Sequence, residues 1–235
     1  MTATATSRGR VGILGGMFNP PHLGHLTLAR TAIDDLGLSR VLLMPVLIPP
    51  HKPPGQDAGA EHRLRMCRLA VAEQPHVDVC TLELERPGPS YTVDTLRAIH
   101  ARDPDAELTL IVGADVALTL GAWREPRAVL ALAQLAVAER DGVSRTEVLE
   151  GLSPLRSDPA SKASRPAHAG LDGTAFLPMP PCDVSSSMVR ERVTHGLAVD
   201  GLVGAPVAGY IAQNELYLAR TPMAAAAQQP LTGTA

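Results

Sequence analysis

"VGILGGMFNPPHLGH", residues 11–25, joins a short apolar run to a glycine pair, two adjacent prolines and two histidines. The apolar run, bounded by glycine, suits a strand buried in a parallel sheet. Beyond it, Leu23, Leu26, Ala29, Ala32, Ile33 and Leu36 recur at helical spacing, with Gly37 placed as a C-terminal stop. The stretch therefore reads as strand, tight turn and helix. The same alternation continues along the chain. Strands are expected at 40–48, 77–82, 107–115, 135–139 and in "TAFLPM" near 174–179. Helices are expected at 61–73, 90–101, 126–134, 185–196 and 206–218. Alternating strands and helices predict an α/β fold: a doubly wound, mostly parallel sheet with helices on both faces. Residues 1–8 read as a flexible tail, 9–220 as one domain and 221–235 as a disordered tail. Residues 141–174, rich in Ser, Pro, Ala and charge, read as an irregular insertion.

With 235 residues, of which 45% are hydrophobic and 19% charged, the composition is that of a globular protein able to bury its own core. Aromatic residues make up only 3%, so the single tryptophan, Trp123, stands out as one the core does not require. The net charge of −3 offers no basic field for nucleic acid or an anionic membrane. Cys67, Cys80 and Cys182 form no Cys-x-x-Cys pair and read as thiols of a reducing compartment. The N-terminal residues do not read as a secretory leader and no long apolar run stands out, so a cytoplasmic protein is expected. Self-association is left open by the sequence.

In a doubly wound sheet, ligands bind outside the carboxyl ends of the strands. Gly15 and Gly16 fall there, where missing side chains let backbone N–H groups approach a phosphate. The helix that follows starts near His22, and a helix N-terminus favours anions. His22 and His25 share one face of its first turn, so two imidazoles can donate to oxygens that gain charge during a transfer. Taken singly, these features also fit a plain turn or half a metal site. The junction lacks Gly-x-Gly-x-x-Gly, which argues against a dinucleotide-dependent dehydrogenase. Ser185, Ser186, Ser187 and Arg190 form a second anion-site candidate, with N-capping as the alternative. Asp115 ends a strand, where it can accept from ribose hydroxyls or cap a helix.

"GGMFNPPHLGH" resembles the signature of the His-x-Gly-His nucleotidyltransferases. "IPPHKPP", "EHRLRM", "GPSYTVDTL", "LIVGAD", a following tryptophan and "VSSSMVR" then occur in the order seen in bacterial nicotinate-mononucleotide adenylyltransferases. The resemblance implies transfer of the adenylyl group of ATP to nicotinate mononucleotide, giving deamido-NAD and pyrophosphate, with Mg²⁺ carried on ATP. It implies His22, His25, Lys52 and Arg190 as catalytic. For ATP it implies Gly15, Gly16, Met17, Phe18, Gly113, Asp115 and Ser185–Ser187 beside His22, His25 and Arg190. For the mononucleotide it implies Asn19, His51, Lys52, Tyr91, Thr92, Trp123 and Arg140. Met17 stands where Thr or Ser is usual, and Asp141 stands where Pro usually follows the arginine. Three alternatives remain at this stage: nicotinamide mononucleotide or phosphopantetheine as acceptor, a nucleotide-binding regulator without turnover, and a metallohydrolase built on His22 and His25.

Overall fold

The computed structural model describes residues 9–49, 56–139, 142–156, 173–180 and 183–218. Six parallel strands form the sheet: β1 (Arg10–Gly16), β2 (Arg40–Pro45), β3 (Val77–Val79), β4 (Glu107–Gly113), β5 (Gln134–Ala138) and β6 (Thr174–Leu177). Their order is β3-β2-β1-β4-β5-β6. The winding reverses between β1 and β4, and a crevice is expected at their carboxyl ends. All five pairings are parallel; Gly15 and Gly16 stand opposite Met44 and Pro45. Gly12 is required by packing. A Cβ there would lie 2.8–2.9 Å from Val41, Leu38 and Ile111 side-chain atoms.

Helices cover both faces. On one side, α1 (Leu23–Leu36) and α2 (Ala60–Val71) pack Ala29, Ala32 and Cys67 against Leu14, Leu43 and Ile111. Burial pushes the Cys67 thiol up to about 12, so it is a core residue and stays protonated. On the other side, α3 (Leu82–Glu85), α4 (Thr92–Arg102), α5 (Ala114–Ala117), a 3₁₀ turn (Leu120–Ala122), α6 (Pro126–Leu132) and α7 (Arg145–Arg156) pack Leu96, Val129 and Leu152 on Ile13, Leu110 and Leu135. A third cluster joins α8 (Ser186–Thr194), α9 (Asp200–Val203) and α10 (Ala205–Gln213) to Met66 of α2.

Four local expectations change. The strand expected to run to 82 ends at Val79, since β3 is the short edge strand, and Leu82 begins α3. The strand expected to reach Asp115 ends at Gly113, and Asp115 lies in the first turn of α5. The 141–174 insertion contains a regular helix, α7. Its start is a Ser-x-x-Glu capping box: the Ser144 amide and hydroxyl donate to Glu147 at 2.8 and 2.7 Å, and the Glu147 amide returns a bond to Ser144 Oγ at 3.2 Å. The closing helix expected over 206–218 runs from Ala205 and ends at Gln213, and the short α9 precedes it across Gly204, whose φ of 83° lies where glycine is favoured. The expected tails at 1–8 and 221–235 lie outside the described residues.

Candidate active site

The first crossover is built by the histidines themselves. His22 is the N-cap of α1 in extended conformation. Its amide donates to His25 Nδ1 at 3.1 Å. An imidazole nitrogen that accepts carries no proton, so the neutral His25 ring holds its hydrogen on Nε2. The two rings stack with centroids 3.6 Å apart and planes 29° from parallel. The Phe18 ring meets His25 edge-on at 4.9 Å. Both histidines line a crevice of about 1280 Å³ at the carboxyl ends of β1 and β4, with Gly15, Gly16 and Met17. Gly113, Asp115 and Ser185 line the same space, as do Tyr91, Thr92 and Trp123.

Several expected residues take a different place. Phe18 was expected at ATP, but its side chain is 2% exposed and belongs to the core under α1. Asn19 was expected at the mononucleotide, yet its buried amide is occupied internally. Nδ2 donates to the Gln56 carbonyl at 2.8 Å, while Oδ1 accepts from Ala58 N at 3.2 Å and from the Tyr217 hydroxyl at 2.7 Å. An amide with partners at both ends in a low-dielectric interior is a tie between segments. Burial also pushes the Tyr217 phenol up, keeping it a donor.

Arg190 does reach back to the start of its own helix. Its Nη1 donates to the Asn19 carbonyl at 2.8 Å and its Nη2 to Ser187 Oγ at 3.1 Å. Ser186 Oγ donates to the Pro20 carbonyl at 2.8 Å. Phe18, Asn19, Ser186, Ser187 and Arg190 therefore do not line the crevice, and Ser185 alone of the serine run does. Ser185 also caps α8, accepting from Met188 N at 3.2 Å. These bonds clasp the start of α8 to residues 19–20, so the two expected anion-binding helix starts lie side by side. His51, Lys52 and Arg140 lie outside the described residues.

Tyr91, Thr92 and Trp123 form another part of the crevice wall. Trp123 Nε1 donates to Thr119 Oγ1 at 3.1 Å, which fixes the indole. Asp115 folds back over Gly113: a Cβ on Gly113 would sit 2.7 Å from Asp115 Oδ1. Beneath Tyr91 lies Glu83, 5% exposed, whose Oε1 accepts from Thr95 Oγ1 at 2.6 Å. Burial pushes the Glu83 carboxyl up, against the pull of Thr95, Arg86 and Ser90.

Sequence reasoning passed over three contributors. Glu83 fell in a link between expected elements. Arg63, 1% exposed, donates from Nη1 to the Met17 and Val46 carbonyls at 3.0 and 2.8 Å and pairs with Asp57 at 3.1 Å. It braces the glycine turn from below; the signal was an arginine within the buried stripe of a helix. Arg124 lines the crevice next to Trp123. Among the described residues, no group of three or more His, Cys, Asp or Glu is arranged to hold a metal ion.

Residues 13–192 match the cytidylyltransferase-like family model. The chain belongs to the cytidylyltransferase-like family. Among curated relatives of this cytidylyltransferase-like chain, the probable nicotinate-nucleotide adenylyltransferase of Geobacillus thermodenitrificans is 38% identical over 216 residues, covering 92% of this chain and 89% of the relative. The protein of the same description from Bordetella petrii is 41% identical over 208 residues, covering 88% and 98%. The solved Plasmodium falciparum nicotinic acid mononucleotide adenylyltransferase complexed with NaAD superposes with a TM-score of 0.68 over 89% of this chain and 98% of its own. At 16% identity that likeness speaks for the shared cytidylyltransferase-like fold.

Proposed function

We propose that the chain transfers the adenylyl group of ATP to nicotinate mononucleotide, releasing pyrophosphate and forming deamido-NAD. The observation that carries this reading is the stacked histidine pair lining an open crevice, with the α8 start clasped beside it and Trp123 in the same wall. The relatives that match most of the chain support it.

In this reading a 5′-phosphate oxygen of the mononucleotide forms a bond to the α-phosphorus of ATP. The bond from that phosphorus to the β-bridging oxygen breaks, and its electrons leave with pyrophosphate. No side chain becomes covalently attached, so catalysis is positioning and charge stabilisation. His25 Nε2–H and the His22 ring donate to the triphosphate oxygens. The amides after Gly15 supply the contact that a hydroxyl at Met17 would otherwise give. Ser185 and the α8 start take the outer phosphates, with Arg190 holding that helix start against Asn19 (a positioning role as the structure stands). Asp115 takes the ribose. Lys52, His51 and Arg140 are assigned to the phosphates and the mononucleotide on their sequence motifs. Mg²⁺ prefers phosphate and water oxygens, so it travels on the triphosphate.

No helix among the described residues is long and apolar enough to cross a membrane. A cytoplasmic place fits a reaction that draws on ATP. The test is pyrophosphate and deamido-NAD release from ATP with nicotinate mononucleotide, run beside His22→Ala. We expect wild-type turnover and a loss of about 10²–10³ in kcat for the variant, the effect of removing one oxyanion donor. Binding of ATP without any pyrophosphate release refutes the reading in favour of a regulator.

A further inference from the structure

The structure assigns Glu83 a positioning role: its buried carboxylate, on α3, takes the Thr95 hydroxyl and so fixes the Ser90–Thr95 turn that walls the crevice. The inference rests on the reaction proposed above, in which the mononucleotide lies against Tyr91 and Thr92. It adds a residue that acts on that substrate through its neighbours.

Thr95 has one hydroxyl proton and two acceptors within reach. The Tyr91 carbonyl, one helical turn back, lies at 3.3 Å and Glu83 Oε1 at 2.6 Å. The Tyr91 carbonyl already accepts the Asp94 and Thr95 amides at 3.1 and 3.2 Å, which fill its two lone pairs. The proton therefore goes to the carboxylate, the shorter and charge-assisted bond. Thr95 Oγ1 in turn accepts from Arg86 Nη2 at 3.1 Å. Arg86, Thr95 and Glu83 thus form a chain with one direction of donation, joining α3 to α4. Ser90 stands at the other side of the same turn. Its amide donates to the Ile48 carbonyl at 2.9 Å and its Oγ accepts from Leu47 N at 3.2 Å, which stitches the exit of β2 to the turn. The Ser90 hydroxyl proton is then left for Glu83, whose ionised form Ser90 favours. Ser90 and Thr95 bracket Tyr91 and Thr92, and all four line the crevice with Glu83.

Stability does not account for a carboxylate at this place. Glu83 is buried, and its Oε2 is enclosed with no partner of ordinary hydrogen-bond geometry among the described residues. A buried charge with an oxygen left unfilled weakens a fold, and a neutral side chain of the same shape does so less. The charge does what a neutral side chain does poorly. It holds the Thr95 hydroxyl off the Tyr91 carbonyl and keeps Arg86 beside Thr95. Without it the hydroxyl turns back to the Tyr91 carbonyl, the bond a threonine commonly makes inside a helix, and such back-bonding bends the helix. The Tyr91–Thr92 wall then leaves its set position. The phosphate end of the crevice, built from β1, α1 and the α8 start, makes no bond to this chain and stays as it is.

The test measures Tm at neutral pH, kcat, and KM for each substrate, from pyrophosphate release with ATP and nicotinate mononucleotide. The proteins are wild type, Glu83→Gln, Thr95→Val, Thr95→Ser and the double variant of Glu83→Gln with Thr95→Val. In Glu83→Gln the KM for the mononucleotide should rise about fivefold, the difference between a hydrogen bond to a charged acceptor and one to a neutral acceptor. Its KM for ATP should hold, and its Tm should stand at or above that of wild type. Thr95→Val should raise the same KM by a similar factor. The double variant should go no further than the larger single effect, because the chain is broken only once. Thr95→Ser keeps the hydroxyl and should recover most of the loss. Four results overturn this role and leave the transfer reaction standing: an unchanged mononucleotide KM in Glu83→Gln, a parallel rise in KM for both substrates, losses that multiply in the double variant, or a Glu83→Gln protein that melts below wild type or does not fold. A wild type without turnover overturns the reaction and this role together.

Discussion

His25 has two separable duties, and one pair of substitutions distinguishes them. Its Nδ1 accepts the His22 amide at 3.1 Å, which closes the first turn of α1; the proposed reaction adds donation from its Nε2–H to phosphate. His25→Ala removes both. Losing an N-terminal capping acceptor costs about 1 kcal/mol. In a domain of this size that lowers Tm by roughly 2–4 °C. Losing one donor to the developing charge costs about 2.7–4 kcal/mol in the barrier, or 10²–10³ in kcat. His25→Asn keeps an acceptor on the branch where Nδ1 stands and has no atom at Nε2. It should therefore melt close to wild type while losing as much turnover as His25→Ala. Pyrophosphate release under saturating substrates gives kcat, and a calorimetric scan gives Tm. If folded His25→Asn retains kcat within about threefold of wild type, the histidine acts only as a cap and the phosphate role is refuted.

Two other perturbations probe the walls. Gly113→Ala places a methyl group where the Asp115 carboxylate now rests, at 2.7 Å, and the carboxylate is the part that can swing away. We expect KM for ATP to rise about tenfold, the effect of losing one hydrogen bond to a charged group, with little change in Tm; an unchanged KM removes Asp115 from the ribose site. Glu83→Gln tests the buried carboxyl. Burial raises the Glu83 carboxyl in the folded state, so its ionisation weakens the fold as pH rises through that value. Wild-type stability should fall relative to Glu83→Gln on going from acid to alkaline pH. The two should converge below the ordinary carboxylate range, and a difference that does not move with pH refutes the argument.

Much of the fold was legible because each crossover carries its own signals. Gly37 takes the αL conformation that stops α1, with φ of 59°, and Ser185 caps α8 as its position predicted. Composition misled at 141–174. A Ser- and Pro-rich average concealed the Ser144–Glu147 capping box and the buried Val148 and Leu152 that make α7 a packed helix. The candidate site divides in the same way. Residues whose backbone position fixes their outlook, such as Gly15, His22, His25 and Thr92, line the crevice. Asn19 and Arg190 do not, because their long-range partners decide where they point, and local sequence cannot name a partner nearly two hundred positions away. Glu83 and Arg63 were missed for a related reason. Charged residues read as surface until the structure shows the carbonyls and hydroxyls that admit them to the interior.

The ties to Asn19 have a consequence for synthesis. Arg190 and Tyr217, which hold the strand-to-helix junction from below, lie 171 and 198 residues after Asn19. The N-terminal strand and helix can form early on the ribosome, yet contacts that shape their junction await residues made 171 and 198 positions later. The junction thus reaches its final shape only after both have been made, and a polypeptide cut short before Tyr217 lacks one of these two ties to Asn19.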